Sequence, residues 1–426
     1  MAELGKNLDE IELTHPAGSS AWAPLREPVF RSLWLAAVIS YTGTWIQIVG
    51  SGWLMASLTA SPLMVSLVQA AGALPVFSVI LLAGALADTV DRRRLLLITQ
   101  SWMVVAAASL GILTLLGHVT PWMLLAFTFL LGLGSVMNDP AWQAITPEIV
   151  SHRNFAQAVA LNSVGFNVAR AVGPALGGLI IMLAGSGATF LVNAASFFGV
   201  IFVLYSWKRP RVVPERRERV FRAVRTGLEY FRQSPPVRAV LVRTAVFSVA
   251  ASALLALLPL MAKPFGSVGF GIMLGCFGAG ALAGAAILPS LRRRMSINKV
   301  VALATLVFAA ATFATPRLHT FAEMCAALFA GGGAWITIVA ILNVSAQTMC
   351  PAWLRARALS MYLLVLQGGM ASGSAIWGAI GESWGIATAL SIAALTLVAG
   401  LTTARHYRLQ TIPMPVPTAA VNGTAT

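Results

Sequence analysis

Residues 84–94 read Gly-Ala-Leu-Ala-Asp-Thr-Val-Asp-Arg-Arg-Arg, and residues 284–294 read Gly-Ala-Ala-Ile-Leu-Pro-Ser-Leu-Arg-Arg-Arg. Each stretch closes a long apolar run, 63–87 in the first case and 268–291 in the second, and each ends in three arginines. The same correspondence extends along the chain: Gln143, Pro147 and Arg153 recur 204 residues later as Gln347, Pro351 and Arg357, and Gly165 and Gly177 recur as Gly369 and Gly381. An offset held over so many positions marks two similar halves in parallel arrangement, with room for a site between them.

Outward from these stretches the chain is a series of apolar runs, near 30–56, 63–87, 95–116, 121–141, 155–184, 187–207, 240–262, 268–291, 298–315, 320–346, 356–380 and 385–404. About 20 such residues, at about 1.5 Å each, cross about 30 Å of hydrocarbon as a helix. Barrel strands would alternate and stop near ten residues. The chain has 426 residues, 58% of them apolar and 10% charged, with a mean hydropathy of +0.81. This excludes a soluble enzyme, a disordered tail and a fibrous protein. The expected fold is an all-α membrane protein of twelve transmembrane helices in two pseudo-symmetric six-helix bundles. The expected parts are a cytoplasmic tail (1–29), a first bundle (30–207), a basic linker (208–236), a second bundle (237–404) and a cytoplasmic tail (405–426). Met1 to Pro28 is polar and has no apolar segment of the kind a cleaved signal carries.

Charge sets the expected orientation. With the first residues in the cytoplasm, 26 of the 29 Lys and Arg residues fall on inner segments, Lys263 and Arg317 fall outside, and Arg170 lies within a run. This is the positive-inside pattern, so the net charge of +15 reflects topology and not nucleic acid. In the linker Phe221, Val224, Leu228 and Phe231 form one apolar stripe among arginines. Such a helix suits an anionic membrane surface, and a solvated connector accounts for it equally well. Cys276, Cys325 and Cys350 form neither a disulfide framework nor a metal site.

The loop at 84–94 has the chemistry of a latch. A glycine allows close helix approach, a carboxylate can accept from backbone donors, and guanidiniums can pair with neighbouring acids. Here the sequence resembles the major facilitator superfamily, whose signature Gly-x-x-x-Asp-x-x-Gly-Arg-Arg/Lys is matched by Gly84, Asp88, Arg92 and Arg93, with Asp91 in place of the second glycine. The resemblance implies that Asp88 caps the inner start of the eleventh helix near Ala358, and that Arg92 pairs with an acid at the inner end of the fourth, where Asp139 stands. Leu288 replaces Asp88 in the second half, so this single latch would hold the outward-open state. A purely topological role for the arginines is the alternative.

In the fifth run Gly173-Pro174-Ala-Leu-Gly177-Gly178 looks like the glycine-proline signature of the superfamily's exporters. Gly173 and Gly177 make a small-residue face for close packing, and Pro174 permits bending, as a pivot requires. Ser163, Asn167 and Arg170 make a polar stripe on the same run. Arg170, about 15 residues in, must face a cavity or a partner. It would favour an acidic or phenolic ligand, or else be satisfied by carbonyls and polar neighbours. By the resemblance the ligand cavity draws on Tyr41, Trp45, Gln69, Asn167, Arg170, Trp335, Asn343, Tyr362 and Gln367. Trp53, Trp122 and Trp207 read as interfacial anchors.

None of the fourteen acids lies mid-membrane, so proton coupling is implied by the family alone, with Asp139, Glu323 and Asp88 as candidates. Pro28-Val-Phe-Arg31, Asp139-Pro140 through Pro147-Glu148, and Asn167-Val-Ala-Arg170 look like the enterobactin-exporter type, also called transmembrane secretion effectors. The resemblance implies a monomeric multi-pass transporter of the bacterial cytoplasmic membrane. It would export a small organic molecule, a drug or siderophore-like metabolite, by proton antiport and alternating access, with no metal or cofactor. Import of a nutrient by the same architecture stays open. A polytopic membrane enzyme is a remote alternative, because no HExxH, acidic Mg²⁺ cluster or phosphate-binding loop is present.

Overall fold

The computed structural model describes residues 20–89, 91–207, 234–351 and 354–409, except the side chains of 77–89, 144, 152 and 356. The apolar stripe of the linker lies outside the described residues, as do the surroundings of Gly84 and the side chain of Asp88. Those described form helices throughout: α1 (Pro28–Leu58), α2 (Pro62–Thr89), α3 (Arg92–Leu115), α4 (Pro121–Ile149), α5 (Phe155–Ser206), α6 (Pro235–Met261), α7 (Gly266–Arg294), α8 (Ile297–Ala314), α9 (Phe321–Thr348), α10 (Arg355–Trp384) and α11 (Ile386–Gly400), with short 3-10 turns and a last helical turn, Thr403–His406.

Local chemistry fixes the starts. Proline opens α1, α2, α4 and α6, where its missing N–H costs nothing. Thr120 caps α4 by accepting from Met123 N, and Asp91 caps α3 by accepting from Arg94 N at 2.9 Å. Asp91 thus has a structural task at the position where the signature has glycine. Thr320 and Glu323 form a reciprocal capping box at the start of α9.

Among the described residues ten helices are long and apolar enough to cross a membrane, by length and composition, where twelve runs were expected. The difference has two sources. The 52-residue α5 contains two of the runs as arms joined at Gly185, whose φ of 79° only glycine adopts readily. In α2 the described side chains reach only to Val76, so that helix is described as an apolar helix over Pro62–Val76 alone.

α1 to α5 pack mainly with one another, and so do α6 to α11. In lipid the packing rests on van der Waals contact and not on exclusion of water, so close fit matters most. The second set buries one large cluster, including Leu254, Leu257, Phe308, Leu328 and Leu390. The sets meet through α2 on α10 and α5 on α7. These contacts involve 62–75 of α2, 370–382 of α10, 170–181 of α5 and 267–278 of α7, in the half of the bundle that charge assigns to the outside. At the opposite end each cluster stays within one set: Leu33, Leu96, Ile145 and Leu204 in the first, Val237, Leu354 and Ala358 in the second.

Polar ties secure the same end. Glu27 accepts from Ser151 N, Ser151 Oγ and Asn154 Nδ2, joining the start of α1 to the α4–α5 turn. Arg243 is buried within α6 and donates to Asn298 Oδ1 at 2.7 Å. Asn298 in turn holds the backbone of Leu409 through both N–H and C=O, and Arg238 lies 5.9 Å from the ring of Tyr407.

Candidate functional site

A water-accessible hollow runs through the first helix set. Its deeper part, about 170 Å³, is lined by Ser40, Tyr41 and Thr44 of α1, Gln100 of α3, Asn138, Asp139 and Trp142 of α4, and Phe166 of α5. A wider part of about 460 Å³ shares Tyr41, Trp142 and Phe166 and adds Gln143, Thr146, Ser163 and Asn167. Helical spacing turns these side chains one way: 139, 142, 143 and 146 share a face of α4, as 159, 163, 166 and 167 do on α5. The Tyr41 and Phe166 rings meet edge to face at 5.5 Å.

Two buried polar atoms on this hollow have no hydrogen-bond partner among the described residues: the acceptor Gln100 Oε1 and the donor Trp142 Nε1. The other end of the Gln100 amide is engaged, since Nε2 donates to Asn138 Oδ1 at 3.1 Å. Unpaired buried polar groups cost about 1–3 kcal/mol each, so a donor and an acceptor left open along one hollow are suited to a ligand or ordered water. Asp139 is exposed into the same space. The hollow therefore offers an aromatic wall, amide and indole hydrogen-bonding groups and one carboxylate.

Of the expected cavity residues, Tyr41 and Asn167 line this hollow together with Asp139, whereas Arg170 and Trp45 stand beside it. The Arg170 guanidinium lies 5.6 Å from the Trp45 ring, Trp45 packs edge-on to Phe166, and the Arg170 carbonyl abuts Gly278 of α7. Arg170 thus sits at the seam between the helix sets. Tyr362 is fully buried in the second set, its hydroxyl donating to Val339 O at 3.0 Å, and does not reach a cavity. Trp335 is wedged among Phe247, Phe277 and Phe308. Asn343 accepts from Gln347 one turn on, and Gln69 and Gln367 are half-buried outside the hollow. Trp53, read as an anchor, instead stacks on Phe270 across the seam. Trp122 is exposed at the outer start of α4, and Trp207 packs at the opposite end.

The latch residues also depart from expectation. Arg92 pairs with Glu148, Nη1 to Oε1 at 2.6 Å, and not with Asp139. Glu148 lies nine residues beyond Asp139, about 13 Å along the helix, beside the start of α3. Arg93 donates to the carbonyls of Leu204 and Tyr205 and so caps the end of α5, where a cation is favoured. Glu323, also a coupling candidate, is exposed and engaged in its capping box, apart from the hollow.

The glycine-proline stretch of α5 lies against two neighbours. Gly173 and Gly177 pack on Trp45 and Ile46 of α1, while Pro174 O and Gly178 meet Gly271 and Ser267 of α7 backbone to backbone. Ser267 Oγ donates to Gly178 O at 3.1 Å. On the other side of the seam Glu382, at the end of α10, accepts from Ser61 Oγ at 2.6 Å and Leu63 N at 3.1 Å, sitting on the N-terminus of α2. Sequence reasoning missed this contact, for which the only signal was a lone acid at the end of an apolar run.

With this geometry in place, comparison with known proteins is direct. The family profile described as transmembrane secretion effector matches residues 19–418. The chain belongs to that family of the major facilitator superfamily. The chain is 25% identical over 278 residues to the staphyloferrin A transporter of Staphylococcus aureus, covering 64% of the chain and 70% of the relative. It is 28% identical to the multidrug efflux pump Tap of Mycolicibacterium fortuitum, over 76% and 82% of the two chains. It is 24% identical to the enterobactin exporter EntS of Salmonella choleraesuis, over 87% and 90%. In fold the secretion effector is similar to the nucleoside transporter NupG, with a TM-score of 0.71 at 12% identity, covering 90% of this chain and all of the other. A bacterial homologue of the human lysosomal transporter Spinster gives 0.67 at 13% identity, over 92% and 97%. The protein is a multi-pass membrane transporter for a small molecule, and not an enzyme.

Proposed function

We propose that this secretion effector exports a small organic molecule, a drug or a siderophore-like metabolite, by alternating access coupled to proton entry, with both termini in the cytoplasm. The observation that carries this reading is the hollow bearing Asp139, Gln100 Oε1 and Trp142 Nε1 beside Tyr41, Phe166 and Asn167. Among the described residues the helix sets touch at the end that charge assigns to the outside, while the clusters at the other end each stay within one set, which supports an inward-facing arrangement. A ligand enters from the cytoplasm, rests its rings on Tyr41, Trp142 and Phe166, and closes its hydrogen bonds on the two open polar atoms. Asp139 is the proton-carrying group, because a carboxylate exposed in a membrane cavity exchanges its proton with whichever side the cavity faces. Arg170, at the seam, acts as a gate residue. The relatives with siderophore and multidrug transport in their names support the ligand class.

The test is accumulation in cells lacking other exporters, using a panel of a catecholate siderophore, a hydroxycarboxylate siderophore and a fluorescent cationic drug. Expression should lower internal accumulation of at least one compound in a manner abolished by dissipating the proton gradient and by Asp139→Asn. Raised accumulation would establish import. Gradient-independent export, or full activity of the Asp139→Asn variant, would refute the coupling.

A further inference from the structure

The repeated arginine triplets have different fates. In the first half Arg92 is paired with Glu148 and Arg93 caps α5 through two carbonyls. In the second half the position matching Glu148 is Ala352, and Leu288 matches Asp88. No Asp or Glu occurs between residues 230 and 322. Arg292, Arg293 and Arg294 are all exposed at the end of α7, Lys299 is exposed in the first turns of α8, and none bonds another described residue. Four cations thus stand together without an anion among the described residues.

Directly above them lies an unfilled fissure of about 210 Å³ between α7, α8 and α9, whose lining is almost wholly apolar. Gly280, Gly284 and Gly333 form its floor, and Ile287, Leu303 and Phe329, exposed toward the membrane, form its rims. One end of the fissure is marked by Leu291 and Val300, the immediate chain neighbours of Arg292 and Lys299. Apolar slot and cationic mouth are therefore continuous.

We propose that this is a binding site for one anionic phospholipid, its phosphate on the Arg292–Arg294 and Lys299 cluster and one acyl chain in the α7–α8–α9 fissure. The lipid supplies the negative charge that Glu148 supplies in the first half. An apolar slot alone would take any acyl chain, and a basic cluster alone any anion. Their continuity selects a molecule that carries both. The inference depends on membrane insertion and not on what the protein exports.

The full-length chain, reconstituted in nanodiscs of phosphatidylcholine and phosphatidylglycerol, is released into native mass spectrometry and the retained lipids are counted. One phosphatidylglycerol should be retained in preference to phosphatidylcholine by about tenfold or more, given four cations close to the bilayer surface. Neutralising the cluster (R292Q, R293Q, R294Q and K299Q together) should abolish the preference, whereas neutralising linker arginines (R216Q, R217Q, R219Q and R222Q) should leave it. Ala330→Trp, which fills the fissure and leaves every cation in place, should remove the retained lipid. That variant decides the matter if the cluster variant does not fold. No preference in the wild type, an unchanged preference after cluster neutralisation, or an undiminished lipid in Ala330→Trp would overturn the proposal.

Discussion

A methyl group added at the α5–α7 seam should drive the helix sets apart at their outer end. A Cβ at Gly178 would stand 2.5 Å from Ser267 O and 3.0 Å from Val268 Cα, and one at Gly271 would collide with Pro174 O. All of these are backbone atoms, which cannot rotate away, so relief requires the seam to widen. Overpacking of this kind costs about 1–3 kcal/mol, which converts to a shift of about 5- to 150-fold in the balance between the two arrangements. Spin labels in a cysteine-free background read the outcome, one pair at the outer turns (His118 and His319) and one at the inner ends (Ser206 and Ser296). Gly178→Ala and Gly271→Ala should lengthen the outer distance and shorten the inner one. Gly199→Ala, whose Cβ would meet only Ala36 Cβ at 4.0 Å, is the matched control and should change neither. Identical distributions in all three variants would mean that the seam is not a gate.

Three further outcomes follow from the same geometry. Glu382→Gln weakens a charge-assisted contact on the N-terminus of α2 and should shift the balance toward the outward-open arrangement, visible with the same label pairs. Trp142→Phe removes the open indole donor but keeps the aromatic wall, so ligand affinity in binding assays should fall by about tenfold, the worth of one hydrogen bond. Arg92→Gln and Glu148→Gln should each lower thermal stability, with the double variant close to either single one. A coupling energy near zero in that cycle, where about 1 kcal/mol is expected for a partly buried pair, would show that the 2.6 Å contact contributes nothing.

The helical architecture and the two-fold repeat were legible because a bilayer demands long apolar runs, and arginine triplets at a fixed offset are hard to mistake. The site was legible only where spacing along one helix carried the information: Asn167 lies on the stripe read from α5, and Tyr41 and Asp139 face it. Whether a tyrosine faces a cavity or a core depends on the rotation of its helix against neighbours, which hydropathy does not record in a segment apolar all round. Tyr41 and Tyr362 look alike in sequence and end in opposite environments. The Arg92 partner failed for a related reason: Asp139 and Glu148 lie on one helix, and only the height at which α3 begins selects between them. Asp91 was visible as a departure from the signature, and its purpose became apparent once α3 was seen to start at Arg92.

Asn298 grips the backbone of Leu409 while receiving the guanidinium of the buried Arg243. Translation delivers residue 409 long after residues 243 and 298, so the second helix set stays unfinished at this corner until synthesis has passed residue 409. The first set, tied at its own corner by Glu27 and Asn154, is complete far earlier. The two halves, so alike in plan, mature on different schedules, and an interruption late in synthesis leaves one finished bundle beside another whose most deeply placed cation lacks its final strap.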